Sequence, residues 1–214
     1  MSASSRDGSP PADCGTCPRL ATFRNDLRAR EPDWFNAPVP SFGDRSAELL
    51  VVGLAPGMKG ANRTGRPFTG DYAGDLLYAT LARFGFADGR YDARPDDGLT
   101  LRRCIITNAV RCLPPQNKPT GAEIRACGRY LAATIAGLEN LKVVMALGRI
   151  AHDATLTVLG ERRAAWKFGH GAIHKIGPLW LIDSYHCSRY NTNTRRLTPQ
   201  MFEAVFEEIT RLLG

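Results

Sequence analysis

The chain has 214 residues, a length that suits one domain, or one domain with a short appendage, and excludes two large domains. Apolar residues make up 43% and charged residues 23% of the sequence, which allows a buried core and excludes a disordered or collagen-like chain. The 28 lysines and arginines exceed the 21 aspartates and glutamates, and the resulting net charge of +7 favours a polyanionic partner, with nucleic acid as the leading class.

No apolar run reaches the roughly 18 to 20 residues that a membrane-spanning helix needs, so we expect a soluble protein without a membrane partner. Residues 1–12 lack the apolar segment of a secretory signal, and we expect them to form a disordered tail before a single domain at 13–214. The expected compartment is therefore intracellular and reducing, where cysteines serve metal binding or chemistry rather than disulfides.

Buried parallel strands and amphipathic helices alternate along the predicted domain. Apolar, β-branched runs predict strands, and apolar residues at helical spacing predict helices. This order predicts an α/β fold, a three-layer α/β/α sandwich around a central, mostly parallel four-stranded sheet. The predicted strands are 48–55, 104–110, 142–147 and 178–184, and the predicted helices are 71–84, 121–138, 149–159 and Pro199–Leu213.

Three loops follow predicted strands, at 56–70, 111–119 and 186–197. Ligands of such sheets bind beyond the carboxyl ends of the strands, so we expect the functional residues in these loops. Segment 88–98 is polar and is predicted to be a surface excursion.

The loop after the first strand carries five glycines between residues 53 and 71. Such a loop can bring the backbone close to a ligand. It lacks the Gly-Lys-Ser/Thr of a phosphate-binding loop and the spacing of a dinucleotide fingerprint. On composition alone, a glycine-rich surface turn explains it equally well.

Three motifs occur in order, GLAPG at 53–57, NRTGRPFTGD at 62–71 and HCSRYNTNTRRLTP at 186–199. Together they resemble the uracil-DNA glycosylase superfamily, specifically its family-5 or B-type branch, and the likeness runs from about Cys14 to the carboxyl terminus. The sequence departs from relatives that carry acidic residues in place of Leu54 or Ala55. It also has Cys187 where the family usually has proline.

The resemblance implies a site for a base flipped out of DNA. Phe68 would be the aromatic floor, Asn108 would read the polar edge of the base, and Ala55 and Gly57 would line the same site. His186 would donate a hydrogen bond to the charge that develops on the departing base. The alternatives are a core phenylalanine, an asparagine at a strand end and a structural histidine.

The water-activating residue of such an enzyme is ordinarily a carboxylate. Asp71 is our candidate, although an aspartate there could equally cap the following helix. Asp75 and Asn62 lie nearby as alternatives, and the cationic sugar could also be stabilised without any side-chain base.

The family resemblance implies that residues 189–196 press into the minor groove of DNA and help to fill the space left by the flipped nucleotide. Basic side chains in the first loop, Lys59 among them, could neutralise phosphates. The predicted DNA-binding residues are Arg63, Arg66, Arg189, Tyr190 and Asn191.

Four cysteines suit either structural zinc or an iron-sulfur cluster. The wide spacing of the second pair, and its resemblance to the cluster segment of family-4 and family-5 enzymes, favour a 4Fe-4S cluster. We predict no redox role for it, and Cys104 and Cys187 are predicted to be buried thiols. The predicted ligands are Cys14, Cys17, Cys112 and Cys127.

The resemblance implies a monofunctional glycosylase that hydrolyses the N-glycosidic bond of uracil, with other deaminated bases as further candidates, and so starts base excision repair. The alternative is a protein that binds uracil-containing DNA with little or no turnover. A nucleotide-phosphate hydrolase would need motifs that this chain lacks. We expect a monomer in the bacterial cytoplasm, on the nucleoid when it engages DNA.

Overall fold

The fold was analysed in a computed structural model that describes residues 8–214. Its strands are Phe42–Gly43 (β1), Leu49–Gly53 (β2), Ala87–Asp88 (β3), Thr100–Leu101 (β4), Cys104–Asn108 (β5), Val143–Leu147 (β6), Ile173–Ile176 (β7) and Leu179–Ser184 (β8). Its helices are Pro18–Arg30 (α1), Ala61–Thr64 (α2), Tyr72–Arg83 (α3), Gly121–Ala136 (α4), Arg149–Val158 (α5), Arg189–Asn193 (α6) and Pro199–Leu213 (α7).

The central sheet has six strands in the order β1-β5-β2-β6-β8-β7. The four inner strands are parallel and correspond to the four predicted ones, whereas β1 and β7 add antiparallel edges. The prediction of four strands was therefore wrong. Both missed strands are short, and β7 is only partly buried, so neither has the continuous apolar run of an inner strand.

The sheet is covered by helices on both faces, which confirms the three-layer sandwich. In β2 the side chains of Leu49 and Val51 face the core beneath α3 and α7, while those of Leu50 and Val52 face the core beneath α4 and α5. A strand buried on both faces explains why the run is apolar at every position.

The helix boundaries follow local capping chemistry. Asp71 caps α3, Thr120 and Glu123 form a capping box on α4, and Thr198 caps α7 ahead of a first-turn proline. The four predicted helices agree with the structure to within two residues at each end. Helix α1 was not predicted, because its apolar residues form no clear stripe.

The described part of the predicted tail contacts the domain. Gly8, Ser9 and Pro10 are buried, and Gly8 lies against residues 133 and 134 of α4. Contacts with the domain thus begin before residue 13, while residues 1–7 of the predicted tail lie outside the described residues. Within 8–214, no helix has the length and apolar character needed to cross a membrane.

Candidate active site

A cavity of about 410 Å³ opens at the carboxyl-terminal edge of the inner strands. Phe68, Asn108 and His186, which come from three separate parts of the sequence, all line it. Ala55 and Gly57 line it as well. The parallel register of β2 and β5 helps to bring these residues together, because Gly53 at the end of β2 pairs with Asn108 at the end of β5.

Asn108 presents an unpaired amide oxygen to this site. Its side chain is 3% exposed, and Oδ1 has no hydrogen-bond partner among the described residues. A Cβ at Gly53 would run into this oxygen and into the Phe68 ring, so the glycine is needed for the close packing of the wall. A buried acceptor without a partner is costly, and such a group points to a ligand that satisfies it.

Phe68 adopts a backbone conformation that is rare for a bulky residue, with φ of 53°. Tyr78 Oη donates to the carbonyl of Pro67 at 2.7 Å, and Tyr91 Oη donates to the carbonyl of Phe68 at 3.2 Å. Gly74 passes directly beneath the same carbonyl, where a Cβ would not fit. The surrounding contacts thus hold a strained residue in place at the site.

The His186 ring stacks against Phe68, with centroids 5.9 Å apart and planes inclined by 29°. Burial lowers the pKa of His186 to about 4, so the imidazole is neutral near pH 7. Its backbone carbonyl accepts a hydrogen bond of 2.8 Å from Asn191 Nδ2. The ring therefore offers one N–H donor to the cavity without carrying a charge.

Asp71 lines the cavity and caps a helix at the same time. Its Oδ1 accepts a hydrogen bond of 3.3 Å from the backbone of Gly74, which leaves Oδ2 on the side of Gly57. Burial raises the pKa of Asp71, and the hydrogen bonds from the helix backbone offset only part of this effect. The capping and catalytic roles are thus compatible, because each uses a different oxygen.

The two alternatives to Asp71 lie away from the cavity wall. Asp75 is exposed in the first turn of α3. Asn62 is buried and donates from Nδ2 to Asn36 Oδ1 at 2.8 Å. Neither lines the cavity.

The rim of the cavity combines exposed basic and aromatic side chains. Arg189 lines the cavity and lies 5.1 Å from the centre of the Tyr72 ring, while Tyr190 is 72% exposed. Arg63 is also exposed. The sequence analysis missed Tyr72 and Asn117, which line the cavity although no motif marked them. The signal available for Tyr72 was its position directly after the second motif.

The prediction that Arg66 contacts DNA was wrong. Arg66 is only 4% exposed, and its guanidinium forms a bidentate ion pair with Asp97. The same group lies over the rings of Phe42, Tyr78 and Tyr91. Arg66 is a structural residue that ties the second motif to segment 88–98, most of which is exposed as expected.

The four cysteines with metal-ligand spacing converge on one small cavity between α1, α4 and the end of β5. Among residues 8–214, no three of their Sγ atoms lie mutually within 4.8 Å. A tetrahedral zinc site would bring thiolates to about 3.8 Å from one another, given a Zn–S bond near 2.3 Å. The wider spread suits a larger inorganic group. The cavity is lined by Cys14, Cys17, Cys112 and Cys127.

Two buried arginines accompany these thiols. Arg24 Nη1 lies 3.7 Å from Cys112 Sγ and donates to the carbonyl of Cys14 at 3.1 Å. Arg111 is 1% exposed, and its backbone N–H donates to Cys127 Sγ at 3.3 Å. Burial raises the pKa of Cys112 to about 12 and also raises that of Cys127, while Arg24 and the Arg111 N–H oppose this effect by stabilising the thiolate forms. Cys104 and Cys187 are both buried away from this cavity.

A second cluster of titratable side chains, which no sequence motif marked, lies outside the lining of the cavity. Ligand-type atoms of His152, His174 and Asp183 are all within 4.8 Å of one another. His152 Nδ1 is 2.8 Å from Asp183 Oδ1, and His152 Nε2 is 3.1 Å from the carbonyl of Trp166. The carbonyl accepts, and a carboxylate accepts as well, so these two contacts suit a doubly protonated His152 in a buried ion pair with Asp183. Hydrogen bonds to these partners raise the pKa of His152 against the opposing effect of burial.

Comparison with known proteins agrees with this geometry. The sequence profile of the family described as the uracil DNA glycosylase superfamily matches residues 40–210. A type-5 uracil-DNA glycosylase of Thermus thermophilus is 46% identical over 208 residues, covering 94% of each chain. Type-5 enzymes of Mycobacterium bovis and Pyrobaculum aerophilum are each 39% identical, covering 94% and 90% of this chain and 78% and 85% of their own. With matches that span nearly its whole length, the chain belongs to the uracil-DNA glycosylase superfamily and, within it, to the type-5 branch.

Proposed function

We propose that the protein is a monofunctional DNA glycosylase that hydrolyses the bond between uracil and deoxyribose in DNA and thereby starts base excision repair. The observation that carries this proposal is the convergence of Phe68, Asn108 and His186 on one cavity large enough for a nucleobase. The basic surface, with a net charge of +7, suits a DNA substrate.

The amide of Asn108 suits the edge of a deaminated base. Uracil presents an N3–H donor beside the O4 acceptor, so Oδ1 of Asn108 accepts from N3–H while Nδ2 donates to O4. Cytosine reverses this pattern, and its N3 acceptor would face the Oδ1 acceptor of Asn108. Hypoxanthine offers the same N–H and carbonyl pair as uracil, and we therefore propose other deaminated bases as further substrates.

The separation of Phe68 and His186 indicates how a base would enter. Two aromatic rings in direct contact have centroids about 4.5–7 Å apart, which leaves no room for a base between them. The ring centroids are 5.9 Å apart. The base therefore stacks on Phe68 and meets His186 at its edge, where the neutral ring donates to a uracil oxygen.

In the proposed reaction, Asp71 orients a water molecule towards C1′ of the sugar and accepts its proton. The water oxygen bonds to C1′ as the bond between C1′ and N1 breaks, and the electron pair of the broken bond leaves with the base as a uracil anion. His186 stabilises the negative charge through its N–H, because this donor is already buried and oriented before the reaction. The product DNA carries an abasic site.

Arg63, Arg189 and Tyr190 are proposed to contact the DNA backbone and the space that the flipped nucleotide leaves. All three are exposed, and Arg189 lines the cavity. The side-chain amide of Asn191 donates to the carbonyl of His186, and its direct contact with DNA stays a prediction. We propose that it shapes the DNA-facing loop.

We further propose that the four converging cysteines hold a 4Fe-4S cluster. The spread of their sulfur atoms and the two adjacent arginines support this group over zinc. When bound, the cluster ties the segment before α1 to the segment after β5. Asn117 at the cavity rim follows Cys112 by five residues, so the cluster would also help to place this rim.

The decisive experiment uses a duplex oligonucleotide that contains one uracil. Incubation followed by alkali should cut the strand at that position, and the duplex with thymine should remain intact. The matched variants are His186→Gln and Phe68→Leu. The alternative is a protein that binds uracil-containing DNA with little or no turnover. It predicts DNA that migrates more slowly in a gel with the protein bound and that stays unbroken after alkali. That result would contradict the proposal.

A further inference from the structure

The His186 ring has no polar side-chain support of its own. Within residues 8–214, no hydrogen bond reaches its imidazole, whose contacts are the Phe68 ring and surrounding apolar groups. Its position therefore depends on the backbone on either side. Asn191 holds the carbonyl of His186 from the downstream side, and the upstream side is the backbone of Tyr185.

The backbone of Tyr185 is held by His170. The N–H of Tyr185 donates to His170 Nδ1 at 3.2 Å, and the rings of the two residues stack with centroids 5.1 Å apart. Arg196 covers the Tyr185 ring at 4.6 Å, and Ser184 Oγ donates to the Tyr185 carbonyl at 2.9 Å. Tyr185, the residue before His186, is thus restrained at its backbone nitrogen, at its backbone carbonyl and at its ring.

The partners of His170 define a single tautomer. Nε2 lies 3.2 Å from the carbonyl of Met201, which can only accept, so Nε2 carries the proton. Nδ1 faces the N–H of Tyr185 and must be unprotonated. Burial also lowers the pKa of His170, in agreement with a neutral ring.

The segment that carries His170 is anchored to β8 by Asp183. Gly169 N–H donates to Asp183 Oδ2 at 3.3 Å, and Gly171 N–H donates to the Asp183 carbonyl at 2.8 Å. The other carboxylate oxygen is occupied by His152, whose second ring nitrogen binds the carbonyl of Trp166. The ion pair of His152 and Asp183 therefore holds the backbone on both sides of His170, at Trp166 and Gly169 before it and at Gly171 after it.

From these contacts we infer that His170 is a positioning residue for the glycosylase reaction, whose Nδ1 acceptor holds the Tyr185 peptide and so aims His186 at the departing base. The inference rests on the proposed function. It assigns His170 no contact with DNA or with the base, and it predicts an effect on the chemical step rather than on DNA affinity.

The test compares His170→Asn with His170→Leu, two side chains of nearly equal shape. The asparagine Oδ1 can occupy the place of Nδ1 and accept from Tyr185, whereas leucine cannot accept. Under single-turnover conditions, uracil release by His170→Leu should be about tenfold slower than by His170→Asn, the loss expected for one buried hydrogen bond. Lys167→Gln, an exposed change in the same segment, serves as the control.

The affinity for a duplex with 2′-fluoro-deoxyuridine, which resists hydrolysis, should be the same for both His170 variants. Equal release rates in the two variants, whether both fast or both slow, would overturn the inference. So would a rate difference explained entirely by weaker binding of the fluorinated duplex. If wild-type protein releases no uracil, the proposed function itself has failed.

A measurement on the wild-type protein covers the case in which His170→Leu does not fold. Nitrogen-15 NMR should show His170 protonated at Nε2 only, with a scalar coupling between Nδ1 and the amide nitrogen of Tyr185 across the hydrogen bond. Protonation at Nδ1 near pH 7, or the absence of this coupling in well-resolved spectra, would overturn the inference without reference to activity.

Discussion

Arg66 and Asp97 form a bidentate ion pair, with Nη1–Oδ1 and Nη2–Oδ2 distances of 2.8 and 2.7 Å, and their side chains are only 5% and 1% exposed. The pair joins the motif that carries Phe68 to a distant surface segment. Asp97 also accepts hydrogen bonds from the backbone of Asp92 and Leu99. An arginine within a basic motif is therefore part of the framework beside the candidate site.

Replacing Arg66 with alanine should destabilise the fold by about 3–5 kcal/mol, because the substitution leaves Asp97 as an uncompensated buried carboxylate. Urea unfolding followed by circular dichroism would measure this loss. Arg63→Ala is the matched control, since Arg63 is exposed and should change the unfolding free energy by about 0.5 kcal/mol or less. A loss in Arg66→Ala no larger than in Arg63→Ala would contradict the structural role.

The rate of uracil release should fall at acid pH as Asp71 is protonated. Burial raises the pKa of Asp71, so the midpoint of this fall should lie above the value of about 3.9 for an exposed aspartate. Burial lowers the pKa of His186 to about 4, so His186 stays neutral at pH values above its pKa. Single-turnover rates across pH would give the midpoint.

The variant Asp71→Asn tests the same assignment. It should lose most of the activity and also the acid limb of the profile, while its amide oxygen still caps α3. Asp75→Asn should keep both the activity and the acid limb of the profile. An unchanged acid limb in Asp71→Asn would assign the proton acceptor elsewhere.

Asn108→Leu should reduce kcat/KM for uracil by about 10- to 100-fold. The change removes the donor and acceptor that meet the base edge while it keeps the size of the side chain. Because the Oδ1 of Asn108 has no partner among the described residues, stability should fall little or even rise. Kinetic assays combined with thermal unfolding would separate these effects, and a parallel loss of stability and activity would argue against base recognition.

Gly53→Ala should damage the site more than the fold. Its new Cβ would lie 2.5 Å from Cζ of Phe68 and would also displace the amide of Asn108. We expect a loss of uracil release of at least tenfold, with a native circular dichroism spectrum. Gly85→Ala is a glycine control, because open space surrounds its Cβ position even though its positive φ adds local strain.

Cys112→Ser should remove most of the iron from the purified protein if the four cysteines hold a cluster. Iron and sulfide analysis, together with visible absorption of the wild type, would measure this. Cys104→Ser alters a buried cysteine outside the cysteine cavity and should retain the iron. One equivalent of zinc without iron in the wild type would contradict the proposed cluster.

The inner architecture followed from the sequence because it depends on local patterns. Strands β2 and β6 are buried on both faces and therefore read as continuous apolar runs. Helix α7 begins where a threonine cap and a proline stand next to each other. The edge strands have no such signature, since β1 has two residues and is defined by its pairing with β5.

The candidate residues Phe68, Asn108 and His186 were accessible from the sequence through the family resemblance, with Phe68 and His186 in predicted loops and Asn108 inside a predicted strand. Their convergence required parallel strands with matched ends. What the sequence alone determined was therefore the layered fold, the family and the set of candidate residues, because periodicity, caps and motifs act over short stretches of chain.

Only the tertiary structure decided which polar residues line the cavity and which support the framework. Arg66 and Arg63 are three residues apart in one motif, yet one is buried on Asp97 and the other is exposed. His170 likewise acquires its role only through Tyr185 and Met201, which lie 15 and 31 residues away. The physical reason is that the burial and hydrogen-bond partners of a side chain depend on residues distant in sequence, which no local pattern encodes.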